Sequence, residues 1–247
     1  MSINERPRQK AFQFRLLGLL TLVALFAIAF ALLRTPMEQT RLDIDADERV
    51  QELGGTTTWG GLGQGRGKPG RSYLGAIDLS GSAVTDDDLF ALGSLSELTH
   101  LVLNDTGITD DGLAHLTNLP KLIQLELSGT SITSDGVRHL GALPNLQVLI
   151  LERCNITGDA IPELGQLNFL WMLHLEDTLV TDDALKQIGR LHTLRTLGLE
   201  GTKITDVGLM QLLDCKQLEI VHVGRTSVTR EAVSRFNQEH KNSTAFQ

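Results

Sequence analysis

A 24-residue period runs from Leu74 to Lys241, and no other feature of the chain constrains its fold as tightly. Copies begin at Leu74, Leu98, Leu122, Leu146, Leu170, Leu194 and Leu218, with no insertion or deletion between them. The shared pattern is L-x-x-L-x-L-x-x-T-x-I-T-D-x-G-L-x-x-L-x-x-L-x-x. A fixed period of roughly 20–50 residues marks units that cannot bury their apolar face alone and must stack. The x-L-x-L stretch alternates with period two, which predicts a short strand with its leucines inward and its third and fifth positions outward. The twelfth position is Thr in every copy, from Thr85 to Thr229, and predicts a helix N-cap. Asp86, Asp110, Asp182 and Asp206 follow it, placing negative charge at the positive helix end. Small residues at the fifteenth position (Gly112, Gly136, Ala160, Ala184, Gly208) let each short helix approach its neighbours. The expected architecture is α/β. Seven strand–turn–helix units stack into a curved solenoid with parallel strands on the concave face and short helices on the convex face.

This pattern resembles the leucine-rich repeat family over about two thirds of the chain. The I-T-D-x-G-L half is similar to the cysteine-containing subclass found in adaptors of eukaryotic ubiquitin ligases. It is also similar to short repeats of membrane-anchored bacterial proteins. The repeat is shorter than in the adaptors, and no F-box-like segment precedes it. Hydroxyls largely replace Cys at the ninth position: Ser82, Thr106, Thr130, Cys154, Thr178, Thr202 and Thr226. The resemblance implies the horseshoe shape, and function has to be read from the surface.

The N-terminus differs in kind. Leu16 to Leu33 are eighteen residues without a charge, near the roughly 20 needed to cross a bilayer. Arg6, Arg8, Lys10 and Arg15 precede the run, whereas Glu38, Asp43, Asp45, Asp47 and Glu48 dilute the bases that follow it. That asymmetry places the N-terminus in the cytoplasm and the repeats outside it, periplasmic or extracellular. Ala27-Ile28-Ala29 offers a cleavage site for the competing signal-peptide reading, but the apolar run continues past it to Leu33. The expected organisation is a cytoplasmic tail over residues 1–15, a single-pass anchor over 16–34 and a linker with an N-terminal cap over 35–73. The repeat domain follows over 74–241, with a C-terminal tail over 242–247. Within the cap, Asp45–Leu53 reads as a short helix and Thr56–Trp59 as a short strand.

The glycine-rich stretch Gly60–Gly70 contains a formal G-x-G-x-x-G at Gly65, Gly67 and Gly70, but Pro69 sits inside it and no helix opens behind it. It reads as a tether, and no cofactor is expected. Cys154 and Cys215 lie more than two copies apart at different phases, so they read as packing residues. From Leu74 onward there are 23 acidic and 12 basic residues, a net charge of −11, which argues against nucleic acid as a partner.

The outward strand positions carry what folding does not require. Val148, Ile150, Trp171 and Met172 form an apolar cluster on copies four and five, the composition of a binding hot spot. Glu152, Glu176 and Glu200 make an acidic row at the seventh position, which suits a partner with a basic surface. His174 stands near Glu152 and Glu176, but an open face with no nucleophile gives no catalytic site, and no metal motif is present. The expected function is non-catalytic binding of a protein or peptide by a membrane-anchored module. The alternatives are a passive envelope spacer and, if the topology is reversed, a cytoplasmic adaptor.

Overall fold

The structure, a computed structural model, describes residues 38–61, 72–240 and 243–247. The expected anchor over 16–34 and most of the glycine-rich stretch lie outside the described residues. Among the described residues no helix is long and apolar enough to cross a membrane.

Among the described residues nine strands form one sheet in chain order. Strand β1 (Thr56–Gly61) pairs antiparallel with β2 (Ser72–Asp78), and every later neighbour is parallel. Strands β3 (His100–Val102), β4 (Gln124–Glu126), β5 (Val148–Ile150), β6 (Met172–His174), β7 (Thr196–Gly198) and β8 (Ile220–His222) each occupy the third to fifth positions of their copy. The register never slips: His100 faces Gln124, which faces Val148, Met172, Thr196 and Ile220 in turn. Each of these strands has three residues, and in β3 to β7 the fourth and sixth positions of the copy are leucines drawn into the core. Leu101, Leu125, Leu149, Leu173 and Leu197 are fully buried, as are Leu103, Leu127, Leu151, Leu175 and Leu199. The convex side carries short helices: α2 (Asp86–Leu92), α3 (Asp110–His115), α4 (Ser134–Leu140), α5 (Ile161–Leu164), α6 (Asp182–Ile188), α7 (Asp206–Gln211) and α8 (Arg230–Glu239).

The cap is longer than expected from sequence. Its helix, α1, covers residues 38–52, because Leu42, Ala46, Val50 and Leu53 keep helical spacing well ahead of Asp45. Ala46 and Val50 enter the core of the first repeat, and β1 covers the outer edge of β2. At the other end, the segment read as a tail carries β9 (Thr244–Phe246), parallel to β8, with Ala245 buried beside Val221. The 24-residue phase continues one strand beyond Lys241.

The threonine–aspartate dipeptide does more than begin a helix. Thr109, Thr133 and Thr205 sit at N-caps with extended backbone, but their hydroxyls donate to the aspartate of the preceding copy. Asp110 accepts from the Thr133 N–H at 2.8 Å and its Oγ1 at 2.6 Å; Asp86 does the same for Thr109 and Asp182 for Thr205. The glycine at the fifteenth position makes room for that carboxylate. A Cβ on Gly136 would lie 2.2 Å from Asp110 Oδ1, and one on Gly208 2.2 Å from Asp182 Oδ1. At the ninth position Thr106, Thr130, Thr178 and Thr202 donate to the carbonyl three residues back, at 2.6–2.7 Å. They thereby satisfy an acceptor where the chain leaves the strand.

The eighth position holds a turn that the consensus left undefined. It is left-handed in all seven copies, with φ between 54° and 68° at Gly81, Asp105, Gly129, Arg153, Asp177, Gly201 and Arg225. Aspartate tolerates this region and arginine does not favour it. Both arginines reach back two copies: Arg153 to Asp105 at 3.0 Å, and Arg225 to both oxygens of Asp177 at 2.8 and 3.0 Å. Each pair passes over the intervening Gly129 or Gly201, where a Cβ would meet the aspartate oxygen at 2.3 or 2.0 Å.

The clamp and the helix dipole make different predictions for two adjacent aspartates. Asp110→Ala removes two hydrogen bonds to a charged acceptor and should cost about 1.5–3 kcal/mol. Asp111→Ala, exposed in the same first turn, should cost no more than about 1 kcal/mol, the size of a dipole contribution. Equal losses in urea denaturation would show that the aspartates act only on their own helix.

Candidate functional site

Two neighbouring surfaces occupy opposite ends of strands β5–β7. At the strand entrance, Trp171 lies at the second position of its copy and Phe169 closes the previous one. With Gln147, His192, Thr193, Arg195 and Glu219 they line an open groove of about 710 Å³. Phe169 is 56% exposed. The half-buried side chains that pack on the core are Leu53, Trp59, Met210, Leu213 and Val233, and Trp171 is not one of them. Arg195 forms the far wall and is paired to Glu219 at 3.2 Å.

The expected apolar cluster is only partly assembled on the strand face. Val148 is 9% exposed and counts with the core, flanked in register by Gln124 and Met172. Ile150 and Met172 are half-buried, and Ile150 stands in register between Glu126 and His174. The larger apolar contribution comes from Phe169, which the outward-position rule overlooks because it belongs to the turn before the strand. The signal was present in the sequence. The twenty-fourth position reads Glu97, Lys121, Asn145, Phe169, Thr193, Gln217 and Lys241, polar everywhere except at Phe169.

At the strand exit the acidic row is interleaved with bases. The His174 Nδ1 lies 3.0 Å from Glu176 and 3.6 Å from Glu152. The His222 Nδ1 is 4.0 Å, and the Arg225 Nε 3.9 Å, from Glu200. The row is therefore not a bare stack of glutamates, since a basic side chain lies within 4.0 Å of each of its members. Upstream, Glu126 accepts from Asn104 at 2.8 Å and from Gln124 at 2.5 Å. The hydrogen bond to Glu176, aided by the charge of both glutamates, raises the pKa of His174 against the opposing effect of burial. Among the described residues, Glu152, His174 and Glu176 are the one group whose arrangement could hold a metal ion.

The two cysteines are Cys154 and Cys215. Both are free and buried. Burial pushes their thiols up, Cys215 to about 11, so neither is a thiolate at neutral pH. Cys154 instead donates to the Leu127 carbonyl at 3.1 Å, replacing the hydroxyl of the ninth-position ladder.

Models described as leucine rich repeat match residues 96–156 and 190–213. The chain carries leucine-rich repeats. Among solved structures it is similar to internalin C2 from Listeria monocytogenes, with 26% identity over 70% of this chain and 81% of that one at a TM-score of 0.49. A leucine-rich repeat protein of Leptospira interrogans is 19% identical over 70% of this chain and 49% of its own, at a TM-score of 0.51. The leucine-rich repeat ectodomain of an Arabidopsis thaliana membrane receptor kinase, solved with CASPARIAN STRIP INTEGRITY FACTOR 2, is 20% identical over 69% of this chain. That match covers 20% of the receptor at a TM-score of 0.49. No curated protein is significantly similar to the chain. Leucine-rich repeat proteins generally mediate protein–protein interaction, and this chain carries the scaffold for it.

The His174 site gives a signed pH dependence. Its folded-state pKa is raised, so the stabilisation is fully present below the ordinary histidine value of about 6.5 and is lost as pH rises through the folded value. In chelator-treated protein, the stability advantage of wild type over His174→Gln should be largest in mild acid and fade above neutrality. An advantage that grows with pH in urea titrations would contradict the assignment.

Proposed function

We propose that the chain is a non-catalytic recognition module, anchored by residues 16–34, whose repeats bind a protein or peptide outside the cytoplasm. The observation that carries this reading is the Trp171–Phe169 groove. It sets two aromatic side chains beside an arginine–glutamate wall, at a place where neither the core nor the sheet demands an aromatic. Tryptophan is enriched among residues that dominate binding energy, and an open groove that sets two aromatic side chains among polar ones has the anatomy of a protein-binding surface. From the groove the contact surface continues across Met172 and Ile150, with Val148 beneath them as support, to Glu152, His174, Glu176 and Glu200 at the far rim. The net charge of −11 over the repeats favours a partner with a basic surface through long-range steering, even though the rim itself is partly neutralised. Support for the topology comes from the excess of Arg and Lys before Leu16.

The test is made in intact cells with a photocrosslinking phenylalanine analogue. At Phe169 it should give a covalent partner adduct, and at Phe90 on α2 it should not, although Phe90 is 71% exposed. Trp171→Ala should weaken capture by about thirtyfold, the equivalent of ~2 kcal/mol, without moving the unfolding midpoint. A membrane-impermeant lysine reagent should label the repeats of the same cells. Adducts at neither position would favour a passive spacer, and unfolding by Trp171→Ala would return the tryptophan to the core.

A further inference from the structure

We propose that Glu152, His174 and Glu176 form a binding site for one zinc-class divalent ion, at the exit end of strands β5 and β6. The donors are one imidazole nitrogen and two carboxylate oxygens, a set that suits Zn²⁺ better than the all-oxygen preference of Mg²⁺ or Ca²⁺. Their ligand atoms all lie within 4.8 Å of one another. The separations from His174 Nδ1, 3.0 Å to Glu176 and 3.6 Å to Glu152, straddle the roughly 3.3 Å that adjacent donors take around a tetrahedral ion with bonds of about 2.0–2.1 Å. Three protein donors leave one position open, the composition of zinc sites that exchange a fourth ligand.

Two further features point to a ligand here and not merely to a surface ion pair. Glu176 Oε2 is buried without any hydrogen-bond partner. A histidine simply neutralising its neighbours would leave that desolvated carboxylate oxygen unrewarded, whereas a metal-bound carboxylate can engage the ion through either oxygen. The site also depends on an absence. Gly198, in register with His174 on the next strand, provides the space into which Glu176 folds, and a Cβ there would lie 1.9 Å from Glu176 Oε1. Gly198 is the one glycine at this position, where copies two to four carry Val102, Glu126 and Ile150. The site lies at the far rim of the proposed contact surface, and binding measured on the isolated chain tests it independently of any partner.

The experiment titrates Zn²⁺ calorimetrically into the full-length, untagged chain in detergent after chelator treatment. One equivalent should bind, Mg²⁺ and Ca²⁺ should not compete, and the melting temperature should rise with Zn²⁺ concentration. Glu152→Gln and His174→Ala should each lower the affinity at least about tenfold. Gly198→Ala should do the same without touching a ligand, because it displaces Glu176. His222→Ala, in the adjacent but looser pair with Glu200, should bind Zn²⁺ as the wild type does. Folding of each variant is read independently from its melt in chelator. Absence of binding by the wild type, or unchanged binding in Glu152→Gln and Gly198→Ala, would overturn the site.

Discussion

Parallel strands of three residues can pair only if every circuit of the chain returns to the same height, and the rest of this structure depends on that constraint. Each strand is too short to specify its own register. Register is set instead by contacts that link equivalent positions of neighbouring copies: buried leucines at the first, fourth and sixth positions, the aspartate clamp on the next threonine, and the left-handed turn at the eighth. A one-residue slip would carry the leucines to solvent and break the clamp together. The period is therefore conserved without insertion, because an extra residue would unsettle every neighbour contact of its copy.

The same constraint explains why small residues fall where they do. Gly136 and Gly208 yield to an aspartate of the previous copy, Gly129 and Gly201 to ion pairs that span two copies, and Gly198 to a glutamate. In each case an absent side chain in one copy accommodates a polar group from another. Solenoid stability is a sum of unit and nearest-neighbour terms, and the bridges from Arg153 to Asp105 and from Arg225 to Asp177 extend the coupling to the second neighbour.

Much of the fold was legible in sequence because the period repeats one physical solution seven times: strand positions, buried leucines and helix starts follow from it directly. What escaped notice depends on contacts between copies. The threonine reads as an ordinary N-cap until the preceding aspartate is seen to hold it, and the eighth position reads as variable because glycine, aspartate and arginine reach the same backbone by different means. The ends were read less well. Helix α1 starts ahead of Asp45, and β9 continues a phase that the loss of leucine at Asn242 disguised. Around the candidate site the alternation rule reads Val148, Ile150 and Met172 as outward, whereas Val148 is 9% exposed and Ile150 and Met172 are half-buried. The rule describes strands and is silent on Phe169, which precedes one.

Scaffold and recognition thus occupy different positions of one repeat. The central claim is that units are interchangeable for folding, while binding belongs to the few residues where copies four to six depart from the others. Excision of single copies tests this most directly, with thermal melting and partner capture measured on each product. Removing residues 98–121 or residues 170–193 joins equivalent positions in phase, so both products should melt cooperatively, and only the second should lose capture. Loss of the cooperative melt in both, or capture that survives removal of residues 170–193, would contradict the account.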